Sequence, residues 1–199
     1  NNSFDRQKMA LVLEKIKKLN GHFVLATGNQ IKRIDRMFDG LDPKNEVISY
    51  VSENGALVAS DGKLISQSVI DPNKVAYLYG LIPRFQTPPD LLMFASQTSS
   101  YMPEWQPVVK DQNLKIFSTG TINEFYPGWR PIKSVSEITE PIDKISLYWH
   151  DYDGQQLLDE IQNDPVLQGL QTLASGYGAI DIVNGEVDKA FGLKILAEN

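Results

Sequence analysis

Residues 21–29 read GHFVLATGN, and this stretch decides the fold that the sequence predicts. Its centre, FVLA at 23–26, is a short apolar run of the kind found in strands buried on both faces of a parallel sheet. Thr27 and Gly28 interrupt the run, and an apolar pattern with helical spacing follows over residues 31–38. The stretch therefore predicts a buried strand, a turn and a helix.

Helical and strand patterns alternate on both sides of this stretch. A helix is predicted upstream, where apolar residues recur at helical spacing from Met9 to Leu19, with Ser3 as the candidate N-cap. A second strand is predicted downstream at VISYVS, residues 47–52. The order helix, strand, helix, strand favours an α/β fold with a parallel sheet flanked by helices.

A hairpin is predicted directly after the second strand. Asp61-Gly62 lies between two apolar runs of similar length, ALVAS at 56–60 and KLIS at 63–66. Asp-Gly is a preferred hairpin turn, because both of its residues tolerate positive φ. The two runs are therefore expected to pair as antiparallel strands.

The composition changes at about residue 70, where prolines and aromatic residues become frequent. The patterns in this part predict strands at 91–96, 114–118, 144–149 and 179–183, and a helix at 155–163. A mixture of strands and a helix in this order is typical of a separate α+β unit.

The chain returns to a helical pattern after this unit. Asn184-Gly185 is a turn signal, and a last helix is predicted from Val187 to Leu196. We therefore predict three segments, with residues 70–183 inserted between two parts of one core at residues 1–69 and 184–199.

The composition limits the classes of function. The chain has 199 residues, a formal net charge of −6 and no cysteine, which excludes disulfides, thiolate zinc sites and a cysteine nucleophile. No apolar run reaches the ~18 residues of a membrane span, and an acidic chain without a basic cluster is a poor binder of nucleic acid. The sequence lacks Gly-x-Ser-x-Gly, Gly-x-Gly-x-x-Gly and Walker motifs, which argues against serine hydrolases, Rossmann dehydrogenases and P-loop NTPases. We expect a cytoplasmic protein that can bind a small anionic molecule at a local site.

Thr27-Gly28 is the first candidate for a binding site. A small hydroxyl residue and a glycine between a parallel strand and a helix place a hydroxyl and free N–H groups at the carboxyl edge of the sheet. Such N–H groups suit a phosphate. The alternative is that Thr27 only caps the helix beginning near Gln30.

Two further candidates follow predicted strands. Asn54-Gly55 lies just past the strand at 47–52 and could project an amide toward the same edge, although a plain turn is the alternative. Lys189 opens the last predicted helix, where a cation opposes the helix dipole. That cost hints at a role for the charge, such as holding a phosphoryl oxygen, and a solvated surface lysine is the alternative.

An acidic pair and the two histidines are weaker candidates. Asp151 and Asp153 follow a predicted strand as an Asp-x-Asp pair, the arrangement of an aspartyl-phosphate nucleophile and its acid/base. Because the pair lies within the inserted unit, we interpret it instead as a turn that caps the helix at 155–163. His22 and His150 stand beside strands without a partner pattern.

The motifs, taken in order, resemble those of the haloacid dehalogenase-like (HAD) hydrolases, and specifically the Cof-type sugar-phosphate phosphatases. Their ATGR motif is similar to Ala26-Thr27-Gly28-Asn29, and their Ser-x-Asn-Gly-Ala pattern to residues 52–56. A large cap domain then intervenes, and an Asp-Ile strand leads to a lysine that opens a helix, as at Asp181-Ile182 and Lys189. The resemblance covers nearly the whole chain.

The resemblance implies a fold and a chemistry. The fold is a HAD-like Rossmannoid parallel sheet with an inserted α+β cap. The activity is Mg²⁺-dependent hydrolysis of small phosphorylated metabolites, of the sugar phosphate or nucleotide type, through an aspartyl-phosphate. Thr27 and Lys189 would then be catalytic, and the residues binding phosphate or substrate would be Gly28, Asn29, Asn54 and Gly55.

Two departures from the family pattern shape the expectations. Asn29 replaces the usual arginine, which removes one cation from the site. The family's first motif, Asp-x-Asp-Gly-Thr, and its acidic fourth motif are expected outside residues 1–199, and with them the nucleophile and the metal ligands. We therefore expect a core that is incomplete at both ends, and a stretch that is inactive alone within an active parent protein. The alternative is a non-catalytic relative that binds a phosphorylated metabolite or regulates.

Overall fold

The computed structural model describes residues 4–106, 109, 115–117, 120–150, 154, 158–176 and 178–199. The chain divides into two compact units, which are described separately. The first unit comprises Asn1–Gln67 with Val187–Asn199, and the second comprises Ser68–Glu186. None of the helices described is long and apolar enough to cross a membrane.

The first unit combines helices with one sheet. Its helices and strands are α1 (Arg6–Lys18), β1 (Phe23–Ala26), α2 (Ile31–Phe38), β2 (Ile48–Ser52), β3 (Leu57–Ser60) and β4 (Lys63–Gln67). The last helix of the chain also belongs to this unit. This helix comprises Lys189–Glu198.

The sheet of the first unit is mixed rather than parallel throughout. Its described strands lie in the order β1-β2-β3-β4. β1 and β2 pair in parallel, with Phe23 opposite Ile48, and the other neighbours pair antiparallel. The predicted hairpin at Asp61-Gly62 is confirmed, since both residues have positive φ, 51° and 70°, between β3 and β4.

The prediction that residues 23–26 form a strand is confirmed, but the prediction that it is buried is wrong. Phe23, Val24 and Leu25 are half-buried and Ala26 is exposed. The reason is that β1 stands at the edge of the described sheet, whereas β2, which has neighbours on both sides, is buried along its whole length.

The first two helices pack on one side of this unit. Leu13 of α1, Ile34 and Phe38 of α2, and Ile48 of β2 share one hydrophobic cluster. Asp5 caps α1, its carboxylate accepting a hydrogen bond from the Lys8 N–H at 3.0 Å. Ser3, the predicted cap, lies outside the described residues.

The start of β2 is held by one carboxylate. Asp42 accepts backbone N–H bonds from Glu46, Val47 and Ile48 at 3.0, 2.8 and 2.7 Å. Partial burial acts to raise the pKa of Asp42, but these bonds lower it below its usual value. The carboxylate thus sets the position at which β2 enters the sheet.

The second unit is built around a larger sheet. Its helices and strands are α3 (Pro72–Leu81), β5 (Leu91–Ala95), β6 (Ser100–Pro103), β7 (Lys115–Phe117), β8 (Gly120–Thr121), α4 (Ile122–Phe125), β9 (Trp129–Ile132), β10 (Lys144–Tyr148), α5 (Leu158–Asn163), β11 (Leu170–Ala174) and β12 (Ile180–Asn184). The helix at Lys189–Glu198 is therefore α6. The sheet order is β11-β12-β10-β5-β6-β9, antiparallel except for β6 and β9.

A hydrophobic cluster covers each face of this sheet. Along β10, Ile145 and Leu147 pack into one cluster with Leu78 of α3. Tyr148 packs into the other with Leu91 and Trp129. Residues alternate between faces along a strand, so continuous apolar runs such as LLMFA supply both clusters.

The predicted strands at 91–96, 144–149 and 179–183 are confirmed within a residue or two at their ends. Several elements were not predicted, among them the strands β6, β9 and β11 and the helix α3. The strand predicted at 114–118 is described at Lys115–Phe117, and the helix predicted at 155–163 is described from Leu158. Asp151 and Asp153 lie outside the described residues.

Candidate functional site

The turns that follow β1 and β2 are joined by backbone hydrogen bonds. The Thr27 N–H donates to the Val51 carbonyl at 2.8 Å, which extends the parallel pairing one residue past β1. The Asn54 N–H in turn donates to the Thr27 carbonyl at 3.1 Å. Because β1 and β2 are parallel, both turns lie at the carboxyl edge of the sheet, where open α/β folds bind ligands.

The second of these turns has an unusual backbone. Glu53, Asn54 and Gly55 all have positive φ, at 48°, 59° and 105°. Positive φ is costly for residues with a side chain, and such strain is concentrated at binding and catalytic sites. All three residues are buried, so the turn is a fixed part of the unit.

Close packing joins Gly28 to this turn. A Cβ atom at position 28 would lie 2.7 Å from the Asn54 Oδ1, closer than such atoms approach. Glycine therefore allows the Asn54 amide, which is 6% exposed, to lie against the Thr27-Gly28 backbone. The two candidates from the sequence, Thr27-Gly28 and Asn54-Gly55, form one cluster.

The start of α6 lies against the same turn. A Cβ atom on Gly55 would stand 2.0 Å from the Asp188 carbonyl oxygen and 3.3 Å from the Lys189 nitrogen. One turn along the helix, a Cβ atom on Gly192 would stand 2.4 Å from the Val51 Cγ1. These approaches bring the backbone of Lys189 to the carboxyl edge of the sheet, while its side chain is exposed.

The cap of α6 explains why the helix starts at this point. The Asp188 carboxylate accepts a hydrogen bond from the Phe191 N–H at 2.7 Å. Lys189 is then the first helical residue, two residues later than the predicted start at Val187. A lysine in the first turn is opposed by the helix dipole, as the sequence predicts.

Thr27 does not cap the helix that follows it. The N-cap of α2 is Gln30, and its side chain makes no capping bond. The Thr27 hydroxyl instead accepts two hydrogen bonds from Asn29, from its backbone N–H at 3.1 Å and from its Nδ2 at 3.0 Å. The capping alternative for Thr27 is therefore wrong, and the Thr27 hydroxyl is held within the turn by Asn29.

Arg33 is a neighbour of this site that the sequence analysis missed. Its guanidinium donates to the Asn29 Oδ1 at 2.7 Å from the first turn of α2. Arg33 is half-buried, and it stands four residues after Asn29. The signal that could have found it is this spacing, since a side chain in the first turn of a helix can reach back to the residue before the cap.

The two histidines do not join the cluster. His22 precedes β1 and its Nδ1 lies 3.1 Å from the Ser49 hydroxyl, at the opposite end of the strand from Thr27. His150 belongs to the second unit, where its backbone N–H donates to Asp90 at 2.7 Å. Both thus have structural partners that the sequence does not reveal.

The family model for haloacid dehalogenase-like hydrolases matches residues 2–199. The chain belongs to this family. No curated protein sequence matches the chain. The membership agrees with the motifs at Thr27, Asn54 and Lys189, on which the resemblance rests.

Several solved structures share the fold of this chain. SMU.1108c from Streptococcus mutans UA159 is 21% identical, with a TM-score of 0.82 over 100% of this chain and 71% of its own. A Plasmodium vivax protein called HAD/COF-like is 14% identical, with a TM-score of 0.73 over 96% and 66%. The HAD subclass IIB sugar phosphatase BT4131 is 16% identical, with a TM-score of 0.68 over 96% and 67%.

Identities this low show a common fold alone. This chain spans between 66% and 71% of the length of the three structures. Both parts of the HAD-like fold, the α/β unit and the α+β unit, lie within the matched residues.

Two large aromatic side chains in the second unit of this HAD-like chain are part of its own core. Tyr101 is 1% exposed and Trp129 is 9% exposed, and each packs in one of the two hydrophobic clusters. Arg130 stacks over the Tyr101 ring at 4.9 Å and donates to its hydroxyl at 2.9 Å. Trp105, by contrast, is 44% exposed.

Proposed function

We propose that this chain is part of a Mg²⁺-dependent phosphatase that hydrolyses small phosphorylated metabolites through an aspartyl-phosphate intermediate. The observation that carries the proposal is the meeting of Thr27, the Asn54 turn and the start of α6 at the carboxyl ends of two parallel strands. Membership of the HAD-like hydrolases supports a phosphoester as the substrate. The likeness to a sugar phosphatase supports a sugar phosphate, with a nucleotide as the other substrate type.

Each residue of the cluster has a proposed role. The Thr27 hydroxyl donates a hydrogen bond to a phosphoryl oxygen, and the Lys189 ammonium neutralises charge on the phosphoryl group and on the nucleophile. Asn54 shapes the substrate pocket, with Gly28, Asn29 and Gly55 completing the wall that contacts phosphate or substrate. Preorganised donors of this kind act where charge develops in the transition state.

The proposed magnesium ion has no ligand set in the part of the chain that the structure describes. No group of three or more histidine, aspartate or glutamate side chains there could hold a metal ion. We place the nucleophile and the magnesium ligands in the remainder of the parent protein, and we propose that these 199 residues are inactive alone. When bound, the ion supplies charge neutralisation at the phosphoryl oxygens.

The second unit, Ser68–Glu186, is proposed as the cap that selects the substrate. Trp105, which is 44% exposed, is proposed to touch the ligand, since Tyr101 and Trp129 are buried in the core. The proposed partners are small phosphorylated molecules in the cytoplasm, with no nucleic acid and no membrane.

The test is hydrolysis of p-nitrophenyl phosphate by the full-length protein with Mg²⁺, followed by a panel of sugar phosphates and nucleotides. Lys189→Ala is expected to lower kcat by at least ~10²-fold, the usual effect of removing a transition-state contact. The matched control is Lys194→Ala on the same helix, an exposed lysine paired with Glu198 at 4.0 Å. It is expected to change kcat less than about twofold, because exposed pairs contribute little.

Two outcomes would contradict the proposal. Near-normal turnover by Lys189→Ala would remove Lys189 from the site. Phosphate binding without hydrolysis, with Mg²⁺ present, would favour the non-catalytic alternative, a HAD-like protein that binds a phosphorylated metabolite or regulates.

A further inference from the structure

The Thr27 hydroxyl uses both of its acceptor positions within the turn. A hydroxyl oxygen has two lone pairs and one hydrogen. The lone pairs accept from the Asn29 backbone N–H at 3.1 Å and from the Asn29 Nδ2 at 3.0 Å. The Thr27 hydroxyl can therefore still donate its hydrogen. Among the described residues, the structure shows no acceptor for that hydrogen.

The side-chain amide of Asn29 can donate to the Thr27 hydroxyl oxygen in only one of its two orientations. Its Nδ2 must face Thr27 and its Oδ1 must face away, since the reverse orientation would present a second acceptor to the hydroxyl. The hydroxyl hydrogen would then turn inward to the amide oxygen. The assignment of amide nitrogen and oxygen follows from the partners on the two sides.

Arg33 is the partner that selects the orientation. Its guanidinium donates to the Asn29 Oδ1 at 2.7 Å. A guanidinium has five N–H donors and no acceptor, so it can pair with the amide oxygen and not with the amide nitrogen. The bond is charge-assisted, which makes it stronger than one between neutral groups.

We propose that Arg33 and Asn29 are positioning residues that hold the Thr27 hydroxyl as a hydrogen-bond donor toward a phosphoryl oxygen. This inference rests on the proposed function, because it takes a phosphoryl oxygen as the acceptor of the Thr27 hydroxyl hydrogen. The phosphoryl group of a phosphomonoester dianion carries acceptor oxygens and no donor, so a hydroxyl locked as a donor matches it. Arg33 acts through Asn29 and Thr27 and does not touch the phosphate.

The test is a double-mutant cycle on the full-length protein, with inorganic phosphate as the probe and its dissociation constant as the readout. Thr27→Val is expected to weaken phosphate binding about 10-fold, the value of one hydrogen bond to a charged group. Arg33→Met is expected to weaken binding by about the same factor in the wild-type background, and by less than about twofold in the Thr27→Val background.

Conservative and matched variants complete the design. Arg33→Lys keeps a cationic donor and is expected to bind phosphate within about threefold of wild type. Arg36→Met, on the exposed face of α2, removes the same charge from the same helix and is expected to change binding by less than about twofold. Asn29→Ala is an independent variant that breaks the link between Arg33 and Thr27, so Arg33→Met is expected to add no further loss in the Asn29→Ala background.

The outcomes separate the inference from the proposed function. If Arg33→Met weakens phosphate binding equally in both backgrounds, the guanidinium contacts the phosphate itself. If it weakens binding in neither background, Arg33 has no role. Either result overturns the inference. If the wild-type protein neither binds phosphate nor hydrolyses a phosphomonoester, the proposed function fails and the inference fails with it. Should Arg33→Met not fold, the cycle of Asn29→Ala with Thr27→Val decides in its place.

Discussion

At the scale of single residues, Gly55 combines a positive φ with no room for a side chain. Its φ is 105°, and a Cβ atom there would meet the Asp188 carbonyl oxygen at 2.0 Å. We expect Gly55→Ala to lower the free energy of unfolding by about 3 kcal/mol, from the left-handed conformation and from overpacking together. Urea denaturation of the purified protein measures this loss.

Gly40 provides a matched control for this prediction. It also has positive φ, at 73°, but a Cβ atom there would have nothing within 4 Å. We therefore expect Gly40→Ala to lower the free energy of unfolding by the conformational cost alone, about 1 kcal/mol. Equal losses in the two variants would show that the contact between Gly55 and the start of α6 contributes nothing.

At the scale of elements, one buried ion pair joins two strands of the larger sheet. The Lys144 Nζ of β10 lies 3.7 Å from the Asp181 Oδ2 of β12, and both side chains are 4% exposed. The Ser146 and Ser175 hydroxyls also donate to this carboxylate, at 2.6 and 2.9 Å. The carboxylate of this ion pair is thus also held by two neutral hydroxyl donors.

Breaking this pair is expected to destabilise the second unit strongly. Asp181→Asn leaves the Lys144 cation buried beside a neutral amide, which we expect to cost about 3–5 kcal/mol. Ser175→Ala, the control, removes one donor and is expected to cost about 1 kcal/mol. Denaturation followed by circular dichroism compares the two, and a smaller loss for Asp181→Asn than for Ser175→Ala would contradict the prediction.

The turn between β5 and β6 is held by the carboxylate of Glu140. The Glu140 carboxylate accepts hydrogen bonds from the hydroxyls of Ser96, Thr98 and Ser99 at 2.6, 2.7 and 2.6 Å. Partial burial acts to raise its pKa, but these bonds lower the pKa of Glu140 to about 2, from 4.5 for a free glutamate. The folded state therefore favours the ionised carboxylate.

The sign of the pH dependence follows from this shift. The stabilisation by Glu140 is fully present above pH 4.5 and is lost as the pH falls toward about 2, because the unfolded chain binds the proton first. Its side chain is 28% exposed, so after solvent screening we expect a loss of about 1–2 kcal/mol. Glu140→Gln should be less stable at pH 7 and show a flatter profile between pH 5 and pH 2 in urea titrations; an unchanged slope would argue against the role of Glu140.

At the scale of the whole molecule, the two units are expected to fold independently. Both hydrophobic clusters of the larger sheet are built from residues of Ser68–Glu186. Its ends are tied internally, since Ile70 donates to the Ile142 carbonyl at 2.8 Å and Gly185 to the Gly169 carbonyl at 2.6 Å. A fragment of residues 68–186 should therefore unfold in one cooperative transition and give a dispersed NMR spectrum.

The first unit supplies the contrasting fragments. Residues 1–67 alone lack α6, which packs on β2, on β3 and on the Asn54 turn. We expect this fragment to unfold at lower urea than one in which a flexible linker joins residue 67 to residues 187–199. Identical midpoints for the two fragments would mean that α6 adds no stability.

Much of the fold was predictable because its signals are local. Apolar runs predict β2, β5, β10 and β12, and the Asp61-Gly62 turn predicts the hairpin between β3 and β4. β6 and β9 were missed, because short strands such as SYMP and WRPI carry proline and little apolar pattern, and pairing with neighbours makes them strands. The exposure of β1 was also not predictable, since it depends on which strands flank it.

Short motifs at Thr27, Asn54 and Lys189 led to the family to which the chain belongs, and that these residues form one site stays a prediction. The roles of these residues in catalysis stay predictions. By itself, the sequence determined the α/β order, the turn residues and the family, because these depend on neighbours a few positions apart. The tertiary structure decided that Gly55 meets the start of α6, because this contact joins distant parts of the sequence that approach each other only once the chain has folded.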